Sequence, residues 1–506
     1  MGKSRLHYAK INSVTLFLKE IVALICTFIL PKVILSFFGS EYNGLISSIT
    51  QFLAVVSIFR LGIANAARFS FYKPLADNDT YQLSSTVNSF QNYMKKSGIF
   101  AAIYIVVLSI LYPLFLGKEF AFIEVFILII GLGAMTFSQY IFGITYSCVL
   151  EADQKSYIIH ILEIITNINV TVSSCLLIYA HLGLPYVKLI ASAIWIIQPI
   201  IIYSFVRKHY QIDKTAPIDK TKYSKKNDAM VHSVANIVHE NTDIWTLTFL
   251  STKSLISVYS VYNLVLVGLK QAVSVFVGSL EAPFGNMFAK KEKDIIEKNL
   301  YLHEFASFSI ATLLYSCAFV LIVPFVRLYT STITDFNYNV PIYAAFAVGA
   351  GITFCIRSPY QTIVQAGGYY KETKIFAIIE ACLNVLITVA LVPFIGLVGA
   401  AIGTIVANLF RTITYSWFVY RKVLCKSMFP FLSKLLVVIL NCFLIITACY
   451  RLCSNYAVLN WWCWIACGFG TAFVSCVVLL VSSFVFYPKE LKLFFNKLFP
   501  KWRKGQ

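Results

Sequence analysis

The chain has 506 residues, of which 58% are hydrophobic and 13% charged, with a formal net charge of +19. Apolar runs of twenty or more residues recur from end to end, which excludes a soluble globular enzyme and describes an all-α polytopic membrane protein. The positive charge lies in short connections and tails rather than on a soluble domain, so it orients the chain and meets anionic lipid headgroups rather than nucleic acid.

Hydropathy places fourteen spans near 11–37, 44–68, 97–116, 121–150, 156–181, 185–206, 228–250, 255–285, 303–328, 340–366, 373–393, 397–420, 433–452 and 460–487. The first follows Lys3, Arg5 and Lys10, exceeds the length of a signal-peptide core and lacks a small-residue cleavage site after it, so it reads as an uncleaved anchor. With the N-terminus inside, the even-numbered connections and both tails carry most of the 42 Lys and Arg, whereas external connections carry Lys118, Lys253 and Arg451. This asymmetry predicts that both termini are cytoplasmic. External loops are short, the longest lying around TSTITDFNYNV.

The expected organisation is a six-helix bundle over 1–206, a basic cytoplasmic linker over 207–227 containing Pro217, a second six-helix bundle over 228–420, two additional spans over 421–487, and a basic amphipathic tail over 488–506. Traces of an internal repeat connect the bundles. Tyr146-Ser-Cys-Val-Leu-Glu-Ala, Glu163, Asn167 and Gly183-Leu184 recur in order as Tyr360-Gln-Thr-Ile-Val-Gln-Ala, Glu380, Asn384 and Gly396-Leu397. Both copies run in the same sense across the membrane, so the repeat is parallel, and two such halves are a transporter architecture.

Ionisable residues inside spans are expensive in lipid and face protein or water. Arg60, Lys270 and Arg357 are candidates for a cationic cavity that binds a phosphate-bearing substrate, because fixed ammonium and guanidinium groups replace the hydration an anion loses. Arg68 and Arg411 can instead reach the cytoplasmic interface along their stems. Lys19 and Glu20 are adjacent, point about 100° apart, and are each expected to find a partner on another helix. Glu163 with Asn167, and Glu380 with Asn384, stand four residues apart on one helix face and read as polar pairs in helix packing.

The stretch Asn236-Ile-Val-His-Glu-Asn-Thr-Asp-Ile-Trp245 is the most polar inside a span. His232, Asn236, His239 and Asp243 follow spacings of four, three and four, and Glu240 stands three before Asp243, so the five read as one stripe. Its acids and imidazole make His239, Glu240 and Asp243 candidates for coupling to a proton or sodium ion; pairing with cations such as Lys270 or Lys19 is the alternative. Thirteen cysteines show no zinc-like spacing, and Cys453 and Cys463 flank the last external loop, where an oxidising exterior allows pairing. Asp77-Asn78-Asp79 matches the D-x-D of metal-dependent glycosyltransferases, yet no nucleotide-binding domain, P-loop or HExxH accompanies it. No cofactor is expected.

Leu383-Asn384-Val385 followed by Val392-Pro393-Phe394-Ile395-Gly396-Leu397-Val398-Gly399-Ala400-Ala401-Ile402-Gly403-Thr404 resembles a hairpin of bacterial polysaccharide flippases in the multidrug/oligosaccharidyl-lipid/polysaccharide exporter superfamily. Leu30-Pro31 through Phe38-Gly39-Ser40-Glu41-Tyr42-Asn43-Gly44 is similar to that family's N-terminal hairpin, with an extra Asn before the last Gly and Phe38 in the usual place of Leu. The resemblance implies a six-plus-six core with two added helices in the bacterial inner membrane. It further implies alternating-access transport of an undecaprenyl-pyrophosphate-linked oligosaccharide, alongside a polysaccharide polymerase. A multidrug/cation antiporter of the same superfamily and a membrane glycosyltransferase or polymerase are the alternatives.

Overall fold

The computed structural model describes residues 5–58, 70–117, 119–219, 227–278, 281–456 and 459–498. Arg60 and Arg68 lie outside these, as do Lys118 and the ends of the predicted linker and tail. The described residues are helical almost throughout, without strands, and twelve helices are long and apolar enough to cross a membrane. The chain is therefore a multi-pass all-α membrane protein. It divides into two compact units, residues 1–237 and 238–506.

In the first unit α1 (Arg5–Ala54) carries the first predicted span and the start of the second, bending at Gly39, whose φ of 80° and ψ of −177° a β-carbon would disfavour. Helix α2 (Thr80–Leu116) starts seventeen residues before its apolar stretch, because Asp79 caps it by accepting from Gln82 N at 2.8 Å. Helix α3 (Phe122–Ser138) passes through a π-helical turn (Gln139–Gly143) into α4 (Ile144–Ala152), and α5 (Ser156–Tyr179) and α6 (Leu184–Tyr210) follow. Helix α1 packs on α5, α3 on α6, and α5 on α6. Phe71, Phe90, Tyr140, Val149 and Val206 fill one end of the unit, and Leu45, Ile49, Tyr112 and Leu128 another cluster.

The predicted linker is tied down over its first half. Asn88 Nδ2 donates to the carbonyls of Asp213 (2.9 Å) and Ala216 (3.1 Å), Ser85 Oγ to that of Pro217, and Ser84 and Ser89 accept from the amides of Asp213 and Asp219. The polar N-terminal extension of α2, which hydropathy does not register as a span, is the surface that holds this segment.

Helix α7 (Asn227–Leu250) contains the boundary between the units. It is not among the twelve apolar helices, its polar stripe having diluted it. The second unit continues with α8 (Lys253–Gly278), α9 (Glu281–Ala289), α10 (Lys293–Tyr329), α11 (Pro341–Ala366), α12 (Tyr370–Ile395), α13 (Leu397–Phe418), which ends in a π-helical turn (Val419–Val423), α14 (Phe429–Tyr456), α15 (Trp461–Phe486) and α16 (Pro488–Leu498). Helix α13 packs on both α11 and α12. The approach to α12 is close: a β-carbon on Gly399 would stand 2.7 Å from the backbone carbon of Leu391, and one on Gly403 would collide with Thr388. The pattern of α3–α4, α5 and α6 thus returns as α11, α12 and α13, with the third helix resting on the first two in each unit.

Helices α14 and α15 pack on α10 and on one another. The buried residues of α15 are Thr471, Ser475, Ser482 and Ser483, while its aromatic residues Trp462, Phe469, Phe473 and Phe484 are exposed. Small hydroxyl residues inward and large apolar ones outward is the arrangement of a helix that meets protein on one side and lipid on the other. None of the thirteen cysteines is in a disulfide; the Cys453 thiol lies 3.6 Å from Thr471 Oγ1 rather than against Cys463.

Candidate functional site

The second unit holds a polar network built by α7, α8, α11, α12 and α13. Its centre is Glu380, fully buried on α12, which receives Arg357 of α11 at 2.5 Å on one carboxylate oxygen and Arg411 of α13 on the other. Both guanidinium groups are 2% exposed. Arg411 also donates to Tyr415 Oη at 2.8 Å. Arg411 does not run to an interface along its stem: a buried carboxylate within reach holds it more strongly than partial hydration would. Arg357, expected to line a cationic cavity, is likewise paired with Glu380.

One turn further along α12, Asn384 Nδ2 donates to His239 Nδ1 of α7 at 2.9 Å, and Thr388 Oγ1 donates to Asn384 Oδ1 at 3.1 Å. Asp243, one turn beyond His239 on α7, accepts from Thr404 Oγ1, which is 3.0 Å from each carboxylate oxygen, and from Tyr259 Oη at 3.3 Å. Three carboxylates are buried among the described residues of this unit, Asp243, Glu304 and Glu380. Asp243 is the one without a cationic partner among the described residues; it is held by neutral oxygen donors alone.

Glu240 leaves this face. It pairs with Lys270 of α8, and the pair is partly open, with side-chain exposures of 49% and 27%. The predicted single stripe therefore divides: His239 and Asp243, four residues apart, face α12 and α13, whereas Glu240, about 100° around the helix from His239, faces α8. Phe354 of α11 joins the two parts, with Lys270 Nζ 3.9 Å and Arg357 Cζ 4.6 Å from its ring centroid. Neither Lys270 nor Arg357 is an unpaired cation.

A second buried network had no signal in residue spacing. Glu304 of α10 accepts from Tyr360 Oη at 2.7 Å, Tyr420 Oη at 2.9 Å and Lys434 Nζ of α14 at 2.5 Å. It fastens α14 to the helices that carry the repeat. In the first unit, Glu163 lies 3.5 Å from Lys19, and the carbonyl of Asn167 accepts from Cys26 Sγ at 3.7 Å. Lys19 is also 2.8 Å from Glu20, contrary to expectation, because its flexible stem curls back to its neighbour. The acids related by the repeat thus have unequal company, a half-buried lysine for Glu163 and two buried arginines for Glu380.

The Asp77-Asn78-Asp79 stretch is a helix start: Asn78 has φ 52° and Asp79 is the cap of α2. Among the described residues no group of three or more His, Cys, Asp or Glu side chains is placed to hold a metal.

No protein-family model and no curated protein sequence matches the chain. Solved structures do. "Lipid II flippase MurJ, inward closed conformation" superposes with a TM-score of 0.69 at 15% identity, covering 95% of this chain and 99% of that one. The chain has the fold of that structure. An inward-facing multidrug resistance MATE family transporter of the MOP superfamily matches with a TM-score of 0.61 at 12% identity, over 78% of this chain and 96% of that one. The Vibrio cholerae MATE transporter VcmN in its bent form gives 0.52 at 14%, over 81% and 98%. These MATE structures are nearly used up by the match yet leave about a fifth of this chain outside it, whereas the MurJ match takes in almost the whole of this chain.

Proposed function

We propose that the protein is a flippase that moves an undecaprenyl-pyrophosphate-linked oligosaccharide from the cytoplasmic to the outer leaflet of the bacterial inner membrane by alternating access, with both termini cytoplasmic. The observation that carries this reading is the likeness to the lipid II flippase MurJ along 95% of the chain. The sequence resemblance to polysaccharide flippases points the same way and names the substrate class, a repeat unit handed on to a polysaccharide polymerase.

Within this reading Lys270 is the headgroup residue. Its partner Glu240 is half exposed, so the ammonium can exchange a carboxylate for a pyrophosphate oxygen without burying an unpaired charge. Arg357 is a positioning residue: locked on Glu380, it shares Phe354 with Lys270 and fixes where the ammonium stands. Arg60 joins Lys270 as a headgroup cation on sequence grounds.

Asp243 is the coupling residue. A buried carboxylate that accepts from Thr404 and Tyr259, with no cationic partner among the described residues, gains most from a proton or a sodium ion. Either species neutralises it, and occupancy then biases which face of the transporter is open. His239 holds Asn384 in register, and Glu240 sets the exchangeable partner of Lys270.

A multidrug/cation antiporter is the second reading, favoured by the MATE likeness. Equilibrium binding to the detergent-solubilised full chain separates the two. We expect saturable binding of undecaprenyl-pyrophosphate oligosaccharide, weakened about tenfold by Lys270→Gln, which removes one charge-assisted contact. Equal affinity for undecaprenol, which lacks the pyrophosphate, would remove Lys270 from the site. Tight binding of an organic cation without any binding of the lipid-linked sugar would replace the flippase by the antiporter.

A further inference from the structure

Helices α14 and α15 gather thiols near the connection that joins them. Cys449 and Cys453 of α14 are buried with Val320 and Leu321 of α10, and Cys317 of α10 and Cys467 of α15 pack against the same cluster. Trp464 Nε1 donates to the carbonyl of Leu321 at 3.1 Å and sets the rotation of α15. Cys467 and Thr471, three and seven residues on, then share its face. Cys453 Sγ stands 4.0 Å from the Cys467 carbonyl oxygen and 3.6 Å from Thr471 Oγ1. The thiols of Cys453 and Cys467 are within hydrogen-bonding reach of one another. Cys317 Sγ is turned instead to Ser475 Oγ at 3.8 Å, and Cys463 stands a full turn nearer the start of α15 than Cys467.

The pair lies at one end of the hairpin. Cys453 is three residues before the end of α14 at Tyr456 and Cys467 six after the start of α15 at Trp461, about 5 Å and about 9 Å along the helix axes at 1.5 Å per residue. In the orientation given above, on which the following rests, that end faces the outside, where a disulfide persists.

We propose that Cys453 and Cys467 are joined by a disulfide in the mature protein, the structure showing the dithiol form of the pair. The bond replaces two S–H bonds: a disulfide-bearing oxidant outside the cell takes up the two protons and two electrons and leaves as two thiols. Only a thiolate attacks a disulfide, so the bond is made while the hairpin is still open to water, before packing closes over Cys453. The sulfurs bond at about 2 Å, and each side chain has one torsion, about its Cα–Cβ bond, to bring them there. The closed loop contains the whole α14–α15 connection, so the bond fastens the outer ends of the two helices to each other.

Peptide mapping of the full-length protein tests the pair. Cells expressing it in a bacterial inner membrane are quenched with acid, and the protein is alkylated with N-ethylmaleimide in denaturant and digested without reductant. The expected product is one linked peptide pair carrying Cys453 and Cys467, lighter by two hydrogens than its separate parts and released by a phosphine reductant. Cys463→Ser is expected to leave that product unchanged, and Cys453→Ser to abolish it and leave Cys467 alkylated; Cys453→Ala replaces the latter if thermal unfolding shows it misfolded. Links from Cys453 to Cys317, Cys449, Cys463 and Cys467 in similar yield would overturn the proposal as unselective oxidation, and a Cys453–Cys463 link alone would overturn the pairing. Should both thiols prove alkylated, Leu459→Cys in a chain without other cysteines separates the causes, since Leu459 is exposed in the connection. Labelling of position 459 by an impermeant maleimide from outside would overturn the disulfide itself; labelling from the cytoplasm alone would overturn the orientation on which it rests.

Discussion

Replacing Glu380 by Gln is the severest neutralisation the second unit offers. The substitution keeps size and shape but leaves Arg357 and Arg411, each 2% exposed, without a counter-charge and close to one another. Breaking one buried ion pair by removing a partner costs about 3–5 kcal/mol. The two pairs share one carboxylate, so their costs do not add, and like-charge repulsion between the guanidinium groups supplies the remainder. At about 2 °C or more per kcal/mol for a unit of this size, the thermal midpoint in detergent should fall by about 6 °C or more. The triple variant Arg357→Gln/Glu380→Gln/Arg411→Gln removes all three charges and should regain most of that loss. A midpoint for Glu380→Gln within about 1 °C of the parent would show that the triad does not hold α11, α12 and α13 together, and the account of Arg357 as a positioning residue would go with it.

Lys434→Met leaves the fully buried Glu304 with two tyrosine hydroxyls and no cation; it should destabilise the protein by about 3–5 kcal/mol, and adding Glu304→Gln should recover much of this in the same melt. Asp243→Asn should leave thermal stability nearly intact, since the amide oxygen still accepts from Thr404, while transport in proteoliposomes no longer responds to an imposed proton or sodium gradient; retained gradient dependence would move coupling elsewhere. Gly399→Ala should be among the most destabilising one-carbon changes, because the new carbon meets the backbone of α12 rather than a movable side chain, and its unfolding midpoint should fall below that of Gly349→Ala, where the nearest atom is a side-chain carbon at 3.5 Å. Single cysteines at Lys293 should react with an impermeant reagent only from the cytoplasm, and those at Ser251 and Thr332 only from outside, if loop charge has given the orientation correctly.

Apolar length was legible in the sequence because a span needs about twenty apolar residues whatever its neighbours. Helix extent was not: α2 begins at Thr80 rather than near 97, since a cap and local hydrogen bonds set where a helix starts, and hydropathy is blind to both. The bend of α1 at Gly39 falls in the gap between the predicted spans 11–37 and 44–68, but the π-helical turns at Gln139–Gly143 and Val419–Val423 have no marker in residue pattern. In the polar network, periodicity gave the faces of α7 and α12 and brought Asp243, His239, Glu380 and Asn384 into view as inward groups. It did not give their partners, because Arg411, Thr404, Tyr259 and Phe354 come from helices whose rotation about their own axes is a tertiary matter. The partner of Arg357 was out of reach of the sequence for the same reason: a buried charge is expensive, and only the fold shows which acid neutralises it.

The account rests most directly on translocation itself. Full-length protein reconstituted into sealed vesicles, with a tagged undecaprenyl-pyrophosphate oligosaccharide inserted on one side and read out by a membrane-impermeant lectin or glycosidase on the other, should move the sugar across faster than protein-free vesicles, with Lys270→Gln slower than the parent. Export of an organic cation against a proton or sodium gradient by the same vesicles, with the lipid-linked sugar left where it was placed, would contradict it.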